Sequence, residues 1–346
     1  MSESLRDFRP GEDEDGVRAL WDRCFGDASG GQTVEWLFRP GPAGDCPRTV
    51  AVVDGRIVAH AGVAAMRFRL GDEVVLGGYS VGAMTDPAMR GRRLFYRVGC
   101  ALYERLEREG FGFVAGFSNA QSHRLMTGPL ERTAIRPFPW CVKILRPFSI
   151  ARSLLGRPPR RPAEADPPES RRSGVEITRC APDEARLDDL WARCESELHM
   201  AGVRDAAFSR WRFGTRPDAR YRGAMAVRDG AVAAWGVYRT LELRGLRGGF
   251  IVDLLVAPGE VEAGRALLDT FAETARREGA ELLSALRPRS GATGQALGRF
   301  GFRRIPERLH PQVIRFSVRG LGRFAGRPEL VDPASWHLSW ADTDVV

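Results

Sequence analysis

The sequence predicts an α/β (α+β) fold made of two tandem units of similar design, each a mixed, mostly antiparallel central sheet flanked by helices. Three observations predict it. The chain has 346 residues, more than one ordinary domain holds, so two are expected. Its halves repeat one order of elements: helix, antiparallel meander, strand, turn, long helix, strand. Between them runs a stretch rich in proline and charge, Gly156-Arg157-Pro158-Pro159-Arg160-Arg161-Pro162 through Pro167-Pro168-Glu169-Ser170-Arg171-Arg172-Ser173-Gly174, with almost nothing to bury. The predicted division is residues 1–150, a linker over 151–174, and residues 175–346.

In the first half a strand is expected near Ser4–Phe8. A helix follows with Asp13 or Glu14 in its first turn and Val17, Leu20, Trp21 and Phe25 on one face. A short helix over Thr33–Phe38 ends in the loop that Pro40-Gly41-Pro42 forces. Thr49–Val53 and Ile57–Leu70 read as strands joined by the hairpin turn Asp54-Gly55. Val74–Thr85 is expected to hold a further strand pair, Leu94–Glu109 a helix, Phe113–Phe117 a short strand, and Thr133–Leu145 a strand interrupted by prolines. The second half follows suit: a strand start at Glu176–Thr178, a helix over Glu184–Ser196, strands Tyr221–Val227 and Val232–Leu241 around Asp229-Gly230. Strand Gly249–Val256, helix Val261–Glu278 and strand Glu281–Leu286 complete it.

Composition narrows the function classes. Hydrophobic residues at 43% and charged residues at 28% suit packed cores with solvated surfaces. No run approaches the roughly 18 apolar residues of a membrane span, and the N-terminus lacks the basic start and apolar core of a signal peptide. A cytoplasmic, bacterial protein is expected. Net charge is +8, yet Lys143 is the only lysine. That bias fits a GC-rich genome better than a nucleic-acid partner, and no basic stripe interleaved with aromatics is present. The cysteines and histidines are scattered without metal-ligand spacing, so neither a disulfide framework nor a metal is expected.

The most informative stretch runs Tyr79-Ser80-Val81-Gly82-Ala83-Met84-Thr85-Asp86-Pro87-Ala88-Met89-Arg90-Gly91-Arg92-Arg93-Leu94-Phe95. It reads as a buried strand, a turn rich in Arg and Gly, and a helix start. Backbone N–H groups at such a helix start point toward an anion, and the arginines add charge at the same spot. A phosphorylated cofactor is the expected ligand.

This order of elements, with Val81–Phe95 at its centre, resembles the GNAT acetyltransferase superfamily. The family's phosphate loop reads Arg or Gln, any, any, Gly, any, Gly or Ala. Here Arg90, Gly91, Arg92, Arg93, Leu94 and Phe95 occupy those positions; Arg90 matches, while Arg93 and Phe95 replace the two small residues. Arg93 would either crowd the pyrophosphate or pair with it. Gly116-Phe117-Ser118-Asn119 resembles the strand end where the family places an Asn beside the pantetheine arm. Pro40-Gly41-Pro42-Ala43-Gly44, Trp211-Arg212-Phe213 and Ala341-Asp342-Thr343-Asp344 resemble a branch with two fused GNAT-like domains, linked to cell-surface polysaccharide or secondary-metabolite modification. In the second domain the equivalent turn, Ala257-Pro258-Gly259-Glu260-Val261-Glu262-Ala263, carries two glutamates that would repel a pyrophosphate, so that domain is expected to be degenerate.

The resemblance implies an acyl-CoA co-substrate, acetyl-CoA foremost, and no metal. N–H groups of Arg92, Arg93, Leu94 and Phe95 would hold the pyrophosphate, with Gly91 in the same loop and Arg90, Arg92 and Arg93 also contacting phosphates, including the one on the ribose. The strand Val81, Gly82, Ala83 and Met84 would splay from its neighbour, hydrogen-bond the pantetheine amides and polarise the thioester carbonyl. The family's general acid, a tyrosine about seven residues past the Asn, falls on Met126. His123, Tyr79 and Ser80 are the remaining catalytic candidates, His123 for its titration near neutral pH; His60 reads as a hydrogen-bonded core residue. Phe138-Pro139-Trp140, Trp211, Phe213, Trp336 and Trp340 would line an acceptor pocket or pack in a core. The implied activity is transfer of an acyl group to the amine of a small molecule or amino sugar, and the competing reading is an acyl-CoA sensor or scaffold without turnover. The partner is thus a small-molecule amine, not nucleic acid.

Overall fold

The computed structural model describes residues 2–26, 36, 38–156, 162–172 and 174–343. The helix expected at Thr33–Phe38 falls largely outside these residues, as do Asp344 and part of the linker. In chain order the elements are β1 (Glu3–Asp7), α1 (Glu14–Phe25), β2 (Arg48–Val53), β3 (Arg56–Leu70), β4 (Glu73–Thr85), α2 (Leu94–Arg108), β5 (Phe113–Ser118), α3 (Ala120–Thr127) and β6 (Thr133–Ile135). There follow β7 (Trp140–Ile144), α4 (Pro147–Leu154), β8 (Ser170–Arg172), β9 (Val175–Cys180), α5 (Arg186–Cys194), β10 (Met200–Gly202), α6 (Ala206–Ser209), β11 (Arg222–Arg228), β12 (Ala231–Leu243) and β13 (Leu246–Val256). The chain ends with α7 (Val261–Arg277), β14 (Leu282–Leu286), α8 (Gly291–Phe300), β15 (Arg303–Arg304), β16 (Arg315–Gly320), α9 (Pro328–Val331) and β17 (Trp336–His337).

Two compact units form, and neither is continuous in sequence. The first comprises Met1–Arg136, Thr215–Asp218 and Ile314–Pro333; the second Pro137–Gly214, Ala219–Val313 and Ala334–Val346. The division therefore differs from a cut at a linker. Within the described part of residues 151–174, α4 takes Ala151–Leu154 and β8 pairs antiparallel with β9. Ala165 also donates its N–H to Glu278 at 2.6 Å, so this stretch is docked on the second unit.

In the first unit the strand order is β1-β2-β3-β4-β5-β16-β6. All neighbours are antiparallel except β4 and β5. The β2–β3 hairpin turns at Asp54 (φ 47°) and Gly55 (φ 78°), the positive pair that a two-residue turn matching strand twist requires. The expected strand pair in Val74–Thr85 is a single strand. Its hairpin partner is β3, and the turn lies earlier, at Gly71-Asp72. Thr133–Leu145 is likewise two strands, β6 in one sheet and β7 in the other. Helix α2 buries Leu94, Val98, Leu102, Tyr103 and Leu106 against Val63, Ala65 and Val114, and α1 packs Val17 and Leu20 against Ile57 and Met84. Each large aliphatic side chain so buried contributes about 1.5–3 kcal/mol.

The second unit repeats the plan with order β15-β7-β14-β13-β12-β11-β9-β8, again with one parallel pair, β13 and β14. Helix α7 covers it, burying Leu267, Leu268 and Phe271.

Candidate active site

Parallel pairing of β4 with β5 stops early. Gly77, Gly78 and Tyr79 pair with Phe113, Val114 and Ala115, and nothing beyond does. From Ser80 onward β4 hydrogen-bonds only β3, and from Gly116 onward β5 pairs only β16. The two strands therefore open into a fork, and Val81, Gly82, Ala83 and Met84, all singled out from the sequence, lie on its β4 arm. Pairing with β3 slips between His60 and Gly62, which face Met84 and Val81, so Gly82 and Ala83 bulge. Gly82 sits at φ 60°, and a Cβ there would lie 2.9 Å from Phe38 Cζ. Only glycine fits this backbone and this space together.

His60 holds the bulge from below. Its Nδ1 lies 2.7 Å from the Gly82 carbonyl, which makes Nδ1 the donor. The ring is fully buried, its edge against Phe38 with centroids 5.1 Å apart, and burial pushes its pKa down to about 4. His60 is a core residue, as expected.

Past β4 the chain turns at buried Asp86. Asp86 caps its own turn by accepting from Ala88 N–H at 3.0 Å and is neutralised by Arg23 at 2.8 Å. With that carboxylate occupied, Arg90, Arg92 and Arg93 stay exposed and make no ion pair or hydrogen bond among the described residues. Gly91 and Arg93 take positive φ, 84° and 58°, and Arg93 lies 5.2 Å from the centroid of the Tyr96 ring. Helix α2 then starts at Leu94 and Phe95 without a side-chain cap, so its first N–H groups have no side-chain acceptor. An uncapped helix start beside three unpaired guanidinium groups concentrates positive potential at this turn.

Past β5 the chain enters α3 with Asn119 as its cap. Asn119 spends its Oδ1 on capping α3, accepting from the N–H groups of Gln121 and Ser122 at 3.0 and 2.9 Å. Its amide nitrogen is what it can offer a ligand. His123 is buried, with Nδ1 3.2 Å from Ser118 Oγ. Met126, at the position of the family's tyrosine, is buried in the core. Tyr79 packs its ring against Phe68 and Phe117, with centroids 5.3 and 5.7 Å away. Ser80 points the other way and accepts a hydrogen bond from Arg132. Arg132 went unnoticed in the sequence because nothing separates it there from the many other arginines.

In the second unit the corresponding fork is filled. Beyond Phe250, strand β13 is unpaired with β14, and Val256 donates its N–H to Thr293 Oγ1 at 3.1 Å. Buried Arg204 reaches Asp253 at 2.9 Å and Asp342 at 2.6 Å, and Trp340 stacks edge-on to Phe250 and Trp140. The turn before α7 carries Glu260, paired with Arg228 at 3.0 Å. Trp140, Trp336 and Trp340 are thus core residues of this unit. No helix among the described residues is long and apolar enough to cross a membrane, and no cluster of three or more His, Cys, Asp or Glu side chains there is arranged to hold a metal.

Residues 7–123 match a family described as an acetyltransferase (GNAT) domain. Several solved structures share the fold. A GCN5-related N-acetyltransferase from Kribbella flavida is 18% identical with a TM-score of 0.62, over 92% of this chain and 71% of that one. A probable N-acyltransferase from Enterococcus faecalis V583 is 10% identical with a TM-score of 0.62, over 92% and 72%. Saccharomyces cerevisiae N-myristoyltransferase with bound myristoyl-CoA is 9% identical with a TM-score of 0.57, over 92% and 82%. No curated protein matches the sequence.

Proposed function

We propose, from the premise that this chain belongs to the GNAT acetyltransferase superfamily through residues 7–123, that it is an acyl-CoA-dependent N-acyltransferase, most simply an acetyltransferase acting on a small-molecule amine or amino sugar. The observation that carries this reading is the continuity of the open β4 edge with an uncapped α2 start and three unpaired arginines. The pyrophosphate would bind the N–H groups of α2 with Arg90, Gly91, Arg92, Arg93, Leu94 and Phe95 around it. The pantetheine arm would lie along Val81, Gly82, Ala83 and Met84, with the Asn119 amide nitrogen on the facing arm.

With that arm in place, N–H groups at the Gly82–Ala83 bulge are the donors for the thioester carbonyl as it gains charge. The amine attacks the carbonyl carbon, the carbon–sulfur bond breaks, and the amine's surplus proton passes to solvent or a nearby base. Acetyl-CoA as the donor, the amine as acceptor and the cytoplasm as the site of action belong to this proposal. The second unit, its fork filled by its own side chains, takes no cofactor in this reading. The buried Met126 favours a second reading, a sensor that binds acyl-CoA without turning it over.

Titration calorimetry with acetyl-CoA tests the proposal. The Arg90→Ala, Arg92→Ala double variant is expected to bind about 10- to 100-fold more weakly, the loss of one or two charge-assisted contacts. Absence of binding to the unaltered protein would sink both readings. Binding with no transfer to any of a panel of amines would favour the sensor.

A further inference from the structure

The vertex of the β4–β5 fork holds a cation without a counter-ion. Ser80 and Gly116 are the first residues past the last parallel pair, and a Cβ on Gly116 would lie 3.2 Å from Ser80 Cβ and 3.1 Å from Arg132 Nη1. Arg132 is 3% exposed. Its Nε donates to the Tyr103 hydroxyl at 2.6 Å and its Nη2 donates to Ser80 Oγ, while Nη1 has no partner among the described residues. Both acceptors are neutral.

The charged neighbours do not compensate it. Arg319 stands on the same ring, its guanidinium 5.5 Å from the Tyr103 centroid against 5.4 Å for Arg132. Glu131, next in sequence, pairs with Arg319 at 3.3 Å and is mostly exposed. A buried guanidinium facing only neutral acceptors is costly to maintain, and an arriving negative charge relieves that cost. Ser80 adds a second feature: its oxygen is committed as an acceptor to Arg132, so its O–H proton is free to point into the fork.

We propose that Ser80 and Arg132 hold the sulfur of coenzyme A as it leaves, Ser80 touching it and Arg132 orienting Ser80 and supplying charge. This rests on the acyl-CoA reading above. At a strand rise of about 3.4 Å per residue, Ser80 lies about 17 Å along β4 from Thr85, so an arm anchored by pyrophosphate at α2 and running down the open edge ends near this vertex. When the amine has attacked and the carbon–sulfur bond breaks, the electron pair remains on sulfur. The thiolate then accepts a hydrogen bond from Ser80 O–H beside the guanidinium and is protonated later by solvent. Such a pair stabilises the departing sulfur by hydrogen bond and charge, which Met126, with no acidic proton to donate, does not.

The test needs no acceptor. Free coenzyme A and desulfo-coenzyme A are the probes, and thiolate ultraviolet absorbance follows the thiol of bound coenzyme A as pH rises. The bound thiol is expected to titrate at least about one pH unit below the free one. Ser80→Ala and Arg132→Met are expected to abolish the shift while leaving desulfo-coenzyme A affinity within about twofold, and Arg132→Lys to keep part of it. Wild-type protein that binds coenzyme A with an unshifted thiol overturns this inference and leaves the acyl-CoA reading standing. Equal losses of affinity for both probes in Ser80→Ala and Arg132→Met would reduce the pair to a structural role. No binding of either probe to wild type would overturn the acyl-CoA reading itself.

Discussion

His60 and Gly82 illustrate how single residues set the site. Gly82→Ala forces a Cβ into Phe38 at a left-handed backbone position, which is expected to cost about 1–3 kcal/mol and to weaken acetyl-CoA binding as the bulge closes; thermal unfolding and calorimetry read the two effects. His60 makes a different prediction. Its pKa is depressed to about 4 by burial, as is that of His337 in the second unit. Both stay neutral in the fold while the unfolded chain takes up protons below about 6.5, so stability is complete above that pH and declines toward pH 4. The slope for each is up to about 1.4 kcal/mol per pH unit. Urea unfolding of His60→Asn across this range is expected to show a shallower decline than the wild type, and an identical slope would remove His60 from the account.

At the scale of elements, the starts of helices α2 and α3 in the first unit contrast. Helix α3 is closed by the Asn119 side chain, whereas α2 is left open above an arginine-lined turn. Asn119→Ala is expected to cost about 1 kcal/mol through the lost cap, seen as a lower denaturation midpoint. Asn119→Asp would keep the cap oxygen while removing the amide nitrogen, so a loss of acetyl-CoA affinity without loss of stability would separate ligand contact from capping. The loop from Asp86 to Arg93 was readable in the sequence because glycine, proline and consecutive arginines mark a turn whatever surrounds them. That Asn119 is a cap was not readable, since Asn ending a strand serves ligand and helix equally well.

Across the whole molecule, the late strand β16 completes the first unit's sheet between β5 and β6, and β7 completes the second between β14 and β15. Each unit thus needs a strand from far along the chain. The second unit also fixes the segment before β9 through a buried cluster: Glu278 accepts from Arg222, from the Tyr238 hydroxyl at 3.0 Å and from the N–H of Ala165. Glu278→Gln leaves Arg222 buried without its charge partner, which is expected to cost about 3–5 kcal/mol in chemical denaturation. A loss below about 1 kcal/mol would mean that the arginine finds another partner or water.

The sequence by itself determined much of the local order: the strands β2, β3, β11, β12 and β13, the helices α1, α2, α5 and α7, where the Asp54-Gly55 and Asp229-Gly230 turns fall, and that a basic turn leads into α2. These follow from side-chain periodicity and backbone preference over a few residues. Only the tertiary structure decided that residues 74–85 form one strand, that 133–145 divides between two sheets, and that Arg132 stands unpaired beneath Ser80. Those outcomes depend on contacts between residues distant in the chain, such as Phe316 against Phe117, and nothing in a local pattern encodes which distant strand closes a sheet or which arginine loses its counter-ion.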